Sequence, residues 1–337
     1  MGGGAVGLAA AAMCLRAGLG SVQVIERDVL AAGPSGSAAG GLSPGMYTLA
    51  RPGPFAELAW ESLRLHRSLD DEWGGVIGLR PIDWLIVSDD RIPSEAFDVP
   101  GVELLDGAAA LAAEPRLAPV GGAISIPDQS WVHPKRLVLA LAAHAGSVAT
   151  GVAMTGMRTR GGRVVGIDTS AGEIVPGAVV LATGTAPPGV PVPGGPVKGH
   201  LLVTSPSPDP PVAGVASSVI VLPLPDGRLL CGGTFDVGDD EPVVRDDVVA
   251  RIRAEMNRVI PSTASLATER AWCCFRPGTP DEMPVIDRVP GLDNAWMSVG
   301  HYRTGLLLAP GAGRLIATWI AGGMPVVAGG FALARFN

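Results

Sequence analysis

Three glycines at the start of the chain have the spacing of a dinucleotide-binding turn. The pattern is Gly2-x-Gly4-x-x-Gly7, and the small apolar residues 5–17 that follow predict a buried helix. Glycines at these positions permit a tight turn, a close approach to a pyrophosphate and close packing of a helix whose N-terminus attracts phosphate. The residues predicted to contact the cofactor here are Gly2, Gly4, Ala5, Val6 and Gly7.

An acidic residue supports the same prediction. Residues 22–25 alternate as a short buried strand, and Glu26 follows them directly. A carboxylate about twenty residues beyond the glycines accepts hydrogen bonds from ribose hydroxyls and disfavours a 2′-phosphate, and hence NADP. Glu26 and its neighbour Arg27 are therefore predicted to lie at the adenosine end of the cofactor site.

The strand that normally leads into such a turn is not in front of this one. The glycine pattern should follow a parallel strand, whereas only Met1 precedes Gly2. Two explanations stay open. Either the chain begins downstream of its natural start, or another segment fills that position in the sheet.

Several later stretches resemble the D-amino-acid-oxidase-like flavoproteins, and among them the glycine oxidases, over nearly the whole chain. They are GSAAGGLSPG at residues 36–45, EPRLAPVGGAISIPDQSWVHPKRL at 114–137, LATG at 181–184, RPGTPD at 276–281 and GHYRTGLLLAP at 300–310. The resemblance implies an α/β fold with a Rossmann-like FAD-binding domain that lacks its first strand. It also implies FAD as the cofactor and an α+β substrate domain with an antiparallel sheet.

The resemblance implies a substrate pocket built around an arginine. Arg276 would pair with a substrate carboxylate, since the planar guanidinium makes two parallel charged hydrogen bonds. Tyr302 and Arg303 would border the substrate. The other implied pocket residues are Ile220, Phe235 and Gly41. Ile220 stands where glycine oxidases usually carry an aromatic residue, so we expect a more apolar pocket and a bulkier or N-alkylated amino acid.

Further residues would contact the flavin. By the resemblance, residues 300–306 lie against its pyrimidine edge, where backbone N–H groups and a helix N-terminus stabilise the anionic reduced ring. The implied contacts are Ser37, Ala38, Ala39, Gly40, Leu42, Met154, Thr183, Gly184, Gly300, His301, Thr304, Gly305 and Leu306. Cys274 replaces the usual glycine and, by its spacing to Asp281, matches the flavin-linking cysteine of monomeric sarcosine oxidases. A covalent flavin and a buried inert thiol both stay open.

The implied reaction is oxidation of an amine. Hydride passes from the substrate carbon beside nitrogen to flavin N5, giving an imine, and reoxidation by oxygen gives hydrogen peroxide. The likeness to glycine oxidases adds a link to thiamine biosynthesis. Two alternatives stay open: a sarcosine-oxidase-like enzyme or D-amino-acid dehydrogenase with another electron acceptor, and a truncated flavin-binding protein without catalysis. An NAD-dependent dehydrogenase would explain the glycine turn but not RPGTPD or GHYRTGLLLAP.

The elements that must position these residues alternate between helix and strand. Helices are predicted at residues 55–73, 134–145, 246–259 and 305–321, and strands at 83–88, 163–168 and 179–182. Residues 187–211 are rich in Pro and Gly and predict a connection between domains, with a boundary near Val197. The predicted FAD-binding domain comprises 1–48, 128–197 and 280–325, the substrate-binding domain 49–127 and 198–279, and the tail 326–337.

Composition narrows the range of partners. The 337 residues carry a formal net charge of −7 and are 47% hydrophobic, which predicts a two-domain globular protein and disfavours nucleic acid as a ligand. The four cysteines lack metal-ligand spacing and favour a reducing cytoplasm. Glycines and Pro325 interrupt the uncharged run 315–334, which favours a buried helix with a loose tail over a membrane anchor. The expected partners are a small carboxylated amine and molecular oxygen; a homo-oligomer stays open.

Overall fold

Helices and strands alternate along most of the chain. The computed structural model describes residues 1–93, 101–323 and 326–336. The helices are α1 (Ala5–Arg16), α2 (Pro34–Ser37), α3 (Pro44–Ala50), α4 (Pro54–Glu72), α5 (Gly107–Ala113), α6 (Pro134–Ala143), α7 (Asp246–Val259) and α8 (Gly305–Ile320). Short 3-10 turns lie at Pro261–Ser265, Val326–Phe331 and Leu333–Phe336.

The strands form a parallel pair, a small mixed sheet with one parallel and one antiparallel pairing, and two sheets that are mainly antiparallel. In chain order they are β1 (Gln23–Glu26), β2 (Gly41–Leu42), β3 (Arg80–Ser88), β4 (Glu103–Asp106), β5 (Gly122–Trp131), β6 (Ser147–Thr150), β7 (Met154–Arg160), β8 (Arg163–Thr169), β9 (Gly172–Ile174), β10 (Val179–Leu181), β11 (Gly195–Thr204), β12 (Gly214–Ala216), β13 (Ile220–Pro223), β14 (Leu229–Gly232), β15 (Thr268–Gly278), β16 (Val285–Arg288) and β17 (Ala295–Val299). The predicted helices α4, α6, α7 and α8 and the predicted strands within β3, β8 and β10 are confirmed.

The predicted interdomain connection at residues 187–211 is wrong over residues 195–204, which form strand β11. This strand has antiparallel partners on both sides, β14 and β15, and its last seven residues are buried. Pro196 lies near its beginning, where a missing N–H is tolerated, and the interior of the strand contains no proline. The boundary expected near Val197 therefore falls inside a strand.

The parallel pieces meet at the first residues of the chain. β1 pairs with β6, and β10 pairs with β17, but no further strand of the described chain joins β1 to β10. Between them, the Met1 amine donates to Val180 O at 2.6 Å and the Met1 carbonyl accepts from Ala182 N at 2.8 Å. Gly2 N donates to Ile25 O at 2.9 Å. Met1 and Gly2 thus connect the two pieces.

A large, mainly antiparallel sheet forms the other main part of the fold, as the resemblance implies. Its strand order is β15-β11-β14-β13-β12-β3-β5-β2, with β4 added beside β5, and only the β12–β3 pair is parallel. Helix α7 buries Val248, Ile252, Met256 and Val259 against this sheet. A smaller sheet of β7, β8 and β9 stands apart.

Close helix packing fixes α8, which begins at the predicted flavin loop. A Cβ on Gly313 would lie 2.8 Å from the Ala9 backbone of α1, and one on Gly311 would lie 2.2 Å from Ser62 Oγ of α4. Both glycines therefore let neighbouring helices approach α8. Because the apolar face of α4 packs here, that helix belongs to the same core as α1, although the predicted division assigned it to the substrate domain.

The tail beyond α8 is docked and not loose, so that part of the prediction is wrong. Phe331 is fully buried beside Phe55. Arg335 donates to both carboxylate oxygens of Asp281 and to the Met283 carbonyl. Residues 94–100, 324, 325 and 337, which the predicted division assigned to the substrate domain, the FAD-binding domain and the tail, lie outside the described residues. Across the described ranges, no helix has the length and apolar character needed to cross a bilayer.

Candidate active site

The glycine turn is packed so tightly that side chains would not fit. Gly2 has φ of 112°, and a Cβ there would lie 2.1 Å from Ala182 O. A Cβ on Gly7 would lie 2.0 Å from Gly2 O. Gly4 forms the N-cap of α1, and Ala5 N donates to Ser35 Oγ at 3.1 Å. Within the described chain, Val6 N and Gly7 N donate to no protein acceptor, which leaves donors at a positive helix end.

The Glu26 carboxylate stands beside this turn with hydrogen-bonding capacity to spare. Its Oε2 accepts from Gly3 N at 2.7 Å and its Oε1 accepts from Asp28 N at 2.9 Å. Each oxygen can accept a second hydrogen bond, so two hydroxyl donors can be accommodated. Arg27 instead projects into solvent, with an ion pair to Asp28. Met154 lies close by, because Val152 N donates to Glu26 O at 2.9 Å.

Two tryptophans hold the second predicted flavin loop. Trp272 Nε1 donates to Ser37 O at 3.0 Å, and Trp131 Nε1 donates to Ala39 O at 2.9 Å. Gly40 has φ of 89° and a Cβ there would lie 2.1 Å from Val132 O, so this position requires glycine. Ala38 lies between these anchors, and Leu42 is fully buried.

The LATG segment and the later GHYRTG segment meet at their glycines. β10 and β17 are parallel, so their carboxyl ends lie at the same edge of the sheet. Just beyond them, Gly300 N donates to Gly184 O at 2.7 Å. Thr183 Oγ1 donates to Thr185 O at 2.8 Å. Gly300 has φ of 69°, and a Cβ there would lie 2.5 Å from Thr279 Cγ2. These segments thus form one backbone-lined edge next to the glycine turn.

His301 supports the first turn of α8 from inside the protein. Its Nε2 lies 2.9 Å from Ser298 Oγ, and burial lowers the pKa of His301 to about 3, so the ring is neutral at physiological pH. Thr304 Oγ1 donates to the His301 carbonyl. In the part of the chain described, the N–H groups of Gly305 and Leu306 donate to no protein acceptor. They therefore point a positive helix end at the site.

Arg276 is a partly buried cation that forms no ion pair with an acidic residue of the described chain. It lies on β15, where Nη1 donates to Thr234 O at 2.8 Å, and its Cζ lies 4.9 Å from the centre of the Phe235 ring. Burial lowers the pKa of Arg276, and no Asp or Glu of the described residues forms an ion pair with it. Nε and Nη2 keep free donors. A partly buried guanidinium with free donors suits an external carboxylate.

Tyr302 and Arg303 border the same space. Tyr302 adopts φ of 48°, and its N–H donates to Pro277 O at 2.8 Å, one residue beyond Arg276. Arg303 Cζ lies 5.4 Å from the Phe235 ring centre and 5.9 Å from that of Tyr302. The structure therefore brings Arg276, Tyr302, Arg303 and Phe235 together, as the resemblance implies.

An apolar wall faces these charged groups. Ile220 on β13 and Trp272 on β15 pack against an apolar cluster that contains Trp84 and Trp131. A Cβ on Gly41 would lie 3.6 Å from Trp84. Cys274 is on β15 two residues from Trp272 and two from Arg276, so the three share one strand face. Burial raises the pKa of the Cys274 thiol, and the neighbouring Ser37 side chain acts in the opposite direction.

Sequence reasoning missed several residues of this site. The Tyr47 ring centre lies 5.7 Å from Arg303 Cζ, and burial raises the pKa of its phenol. Glu282 pairs with Arg51 at 2.9 Å and lies 4.0 Å from Arg303. Gly199 leaves space for Arg276, since a Cβ there would lie 2.3 Å from both Nη atoms. Tyr47 lies two residues beyond the loop at 36–45, and this proximity was the one available signal.

The turn, the acidic residue and the two open helix ends together define a dinucleotide-binding oxidoreductase fold with an anion-binding pocket. The family model described as FAD dependent oxidoreductase (DAO) matches residues 1–319, so the chain belongs to this family of FAD-dependent oxidoreductases. FAD fits the residues present. The groups that would hold it are the N-terminus of α1 at the pyrophosphate, Glu26 at the ribose and the N-terminus of α8 at the flavin ring.

Comparisons with individual proteins agree with this assignment. The chain is 34% identical to the glycine oxidase of Pseudomonas aeruginosa over 174 residues, covering 50% of this chain and 48% of that protein. It is 27% identical to the glycine oxidase of Pseudomonas putida, covering 97% of this chain and 95% of that protein. The crystal structure of glycine oxidase from Geobacillus kaustophilus superposes with a TM-score of 0.87 at 27% identity, covering 100% of this chain and 96% of that one.

Proposed function

We propose that this chain is an oxidase of small amino acids or amines that resembles the glycine oxidases. The observation that carries the proposal is the partly buried Arg276 guanidinium, which forms no ion pair with a carboxylate of the described residues and shares the Phe235 ring with Arg303. Burying an unpaired charge is costly, so such a cation is best explained by an anionic ligand. When bound, FAD supplies the hydride acceptor for the reaction.

The role of the protein is to orient the substrate. Arg276 offers Nε and Nη2 to the carboxylate, while Nη1 stays anchored on Thr234 O. Because burial raises the pKa values of Tyr47 and Tyr302, both phenols stay protonated and act as donors, not bases. The rings of Tyr47, Phe235 and Tyr302 all lie within 6 Å of Arg303 Cζ, beside the proposed carboxylate site.

The apolar wall supports a substrate other than free glycine. Ile220 packs against the apolar cluster that contains Trp84 and offers no hydroxyl donor, so it favours an apolar substituent on carbon or nitrogen over a polar one. We therefore propose a bulkier or N-alkylated amino acid as the preferred substrate. Sarcosine is the smallest N-alkylated member of this class to test.

Anaerobic reduction tests the proposal directly. The purified holoprotein is expected to be yellow, and its visible flavin absorbance should bleach on mixing with a member of a glycine, sarcosine and D-amino-acid panel. Amines of the same size without a carboxylate should not bleach it, and neither should the Arg276→Met variant with a substrate that works on the wild type. No bleaching with any carboxylated amine would sink the proposal. A colourless protein would instead favour the non-catalytic alternative.

Two further assays decide the details that stay open. Peroxide formation in air identifies oxygen as the acceptor, whereas turnover with an artificial dye but not with oxygen identifies a dehydrogenase. Acid denaturation shows whether the flavin is covalent, since flavin wholly released to the supernatant excludes a bond to Cys274. A role in thiamine biosynthesis is tested by complementing a thiamine-requiring strain that lacks glycine oxidase.

A further inference from the structure

Helix α8 contains a proline where its hydrogen-bond ladder should continue. Pro310 is the sixth residue of the helix and has no N–H to donate to the carbonyl four residues earlier, which belongs to Leu306. A carbonyl left without a donor in a buried helix is unfavourable. Leu306 is fully inside the protein and lies in the turn that faces the predicted flavin site. The structure must therefore satisfy this carbonyl from elsewhere.

His66 of α4 satisfies it. Its Nε2 lies 2.9 Å from Leu306 O and 3.2 Å from Leu307 O, and the side chain is completely buried. Both neighbours are acceptors, so Nε2 must carry the hydrogen and donate it to them. In the described structure, Nδ1 has no hydrogen-bond partner. The ring is therefore held in place by these two carbonyls alone among its polar contacts.

The same face of α4 contacts α8 one turn further along. Ser62 lies four residues before His66, and its Oγ would be 2.2 Å from a Cβ on Gly311. α4 therefore packs tightly against α8 at Gly311, directly after Pro310. His66 and Ser62 together fix the position of α8 relative to α4 on both sides of the proline.

We propose that His66 is a positioning residue, which supplies the hydrogen bond that Pro310 removes and thereby fixes the first turn of α8 at the flavin site. Gly305 and Leu306 keep free N–H groups in this turn. A turn that is free to tilt would aim those groups less accurately at the ring. Within the described structure, the hydrogen bonds of the His66 ring go to Leu306 and Leu307, so His66 acts through α8. The flavin readout rests on the proposed function, whereas the stability readout does not.

Matched variants separate the hydrogen bond from packing. Met and Gln have similar lengths, but only Gln keeps a donor, so His66→Met should lose the bond and His66→Gln should retain it. We expect His66→Met to lower the Tm of the apoprotein by about 2–4 °C and to weaken flavin binding about tenfold. His66→Gln should lie much closer to the wild type in both measurements.

A compensating change provides the decisive test. Pro310→Ala restores an N–H opposite Leu306 O, so His66→Met/Pro310→Ala should recover at least half of the loss in Tm and flavin affinity. If His66→Met alone does not accumulate as folded protein, the double variant is expected to do so, and its failure overturns the proposal. Equal losses in His66→Gln and His66→Met, or no recovery with Pro310→Ala, also overturn it. Failure of the wild type to bind flavin would refute the proposed function, while the Tm comparison would still decide the role of His66.

Discussion

Replacing Gly199 by Ala should displace the Arg276 guanidinium in the proposed carboxylate site without placing a new group against the substrate. The new Cβ would lie 2.3 Å from Nη1 and Nη2 of Arg276 and 2.5 Å from Thr234 O. Ordinary contact begins at 3.4 Å, so the guanidinium must retreat by about 1.1 Å, the difference between 3.4 and 2.3 Å. A misplacement of about 1 Å at a site that positions a reactant costs about 100-fold in rate. We therefore expect kcat/KM to fall about 100-fold.

Gly195→Ala is the matched control for this experiment. Gly195 lies on the same strand, β11, and a Cβ there meets no atom within 4 Å. Steady-state kinetics with the best amino-acid substrate should therefore give wild-type values for Gly195→Ala. The reasoning is refuted if Gly199→Ala folds with an unchanged Tm and keeps kcat/KM within about twofold of the wild type. In that case the location of Arg276 would not matter for binding.

Three other predictions concern neighbouring groups. Arg276→Lys should lower kcat/KM by at least about 100-fold, because an ammonium cannot make the two-point contact; a normal value in steady-state assays would contradict the site. Tyr47→Phe should raise KM about tenfold with little change in Tm, because one hydrogen-bond donor beside Arg303 is lost. An unchanged KM would show that the Tyr47 hydroxyl does not contact the substrate. Acidification from about pH 6.5 to 4 should destabilise the protein, because burial lowers the pKa of His66 to about 4 and the unfolded chain is protonated first. Urea unfolding should show this as a loss of up to about 1.4 kcal/mol per pH unit from this group, reduced in His66→Gln.

Local spacing predicted the arrangement of the glycine turn, α1 and Glu26 well. Gly2 lies just before α1, Gly7 lies in its first turn, and Glu26 is the last residue of β1. Only one helix and one strand separate them, so their spacing along the chain nearly determines their geometry. The two open helix ends follow from the same local rules. The position of β11 could not be predicted in this way, because its stability comes from partners on both sides that are distant in sequence. Its Pro-rich and Gly-rich surroundings indicated a loop.

The substrate half depends on strand register and on loops from different parts of the chain. Gly199 faces Arg276 only because β11 pairs with β15 so that Val197 lies opposite Arg276. Tyr47 on α3 and Glu282 in a distant loop both lie near Arg303, and neither belongs to a recognisable pattern. The role of His66 could not be predicted from the sequence for a similar reason. Its role depends on a proline in another helix, and helical periodicity predicts only that it is buried.

The packing of α8 against α1 has a consequence for how the chain is made. Gly313 fits against the Ala9 backbone, so the two helices that flank the cofactor site come from opposite ends of the sequence. During translation, α1 is synthesised about 300 residues before α8, so its apolar face stays uncovered until α8 has been made. Nascent chains are therefore expected to expose this alanine-rich surface to chaperones. No fragment that stops short of α8 contains a complete core around the glycine turn.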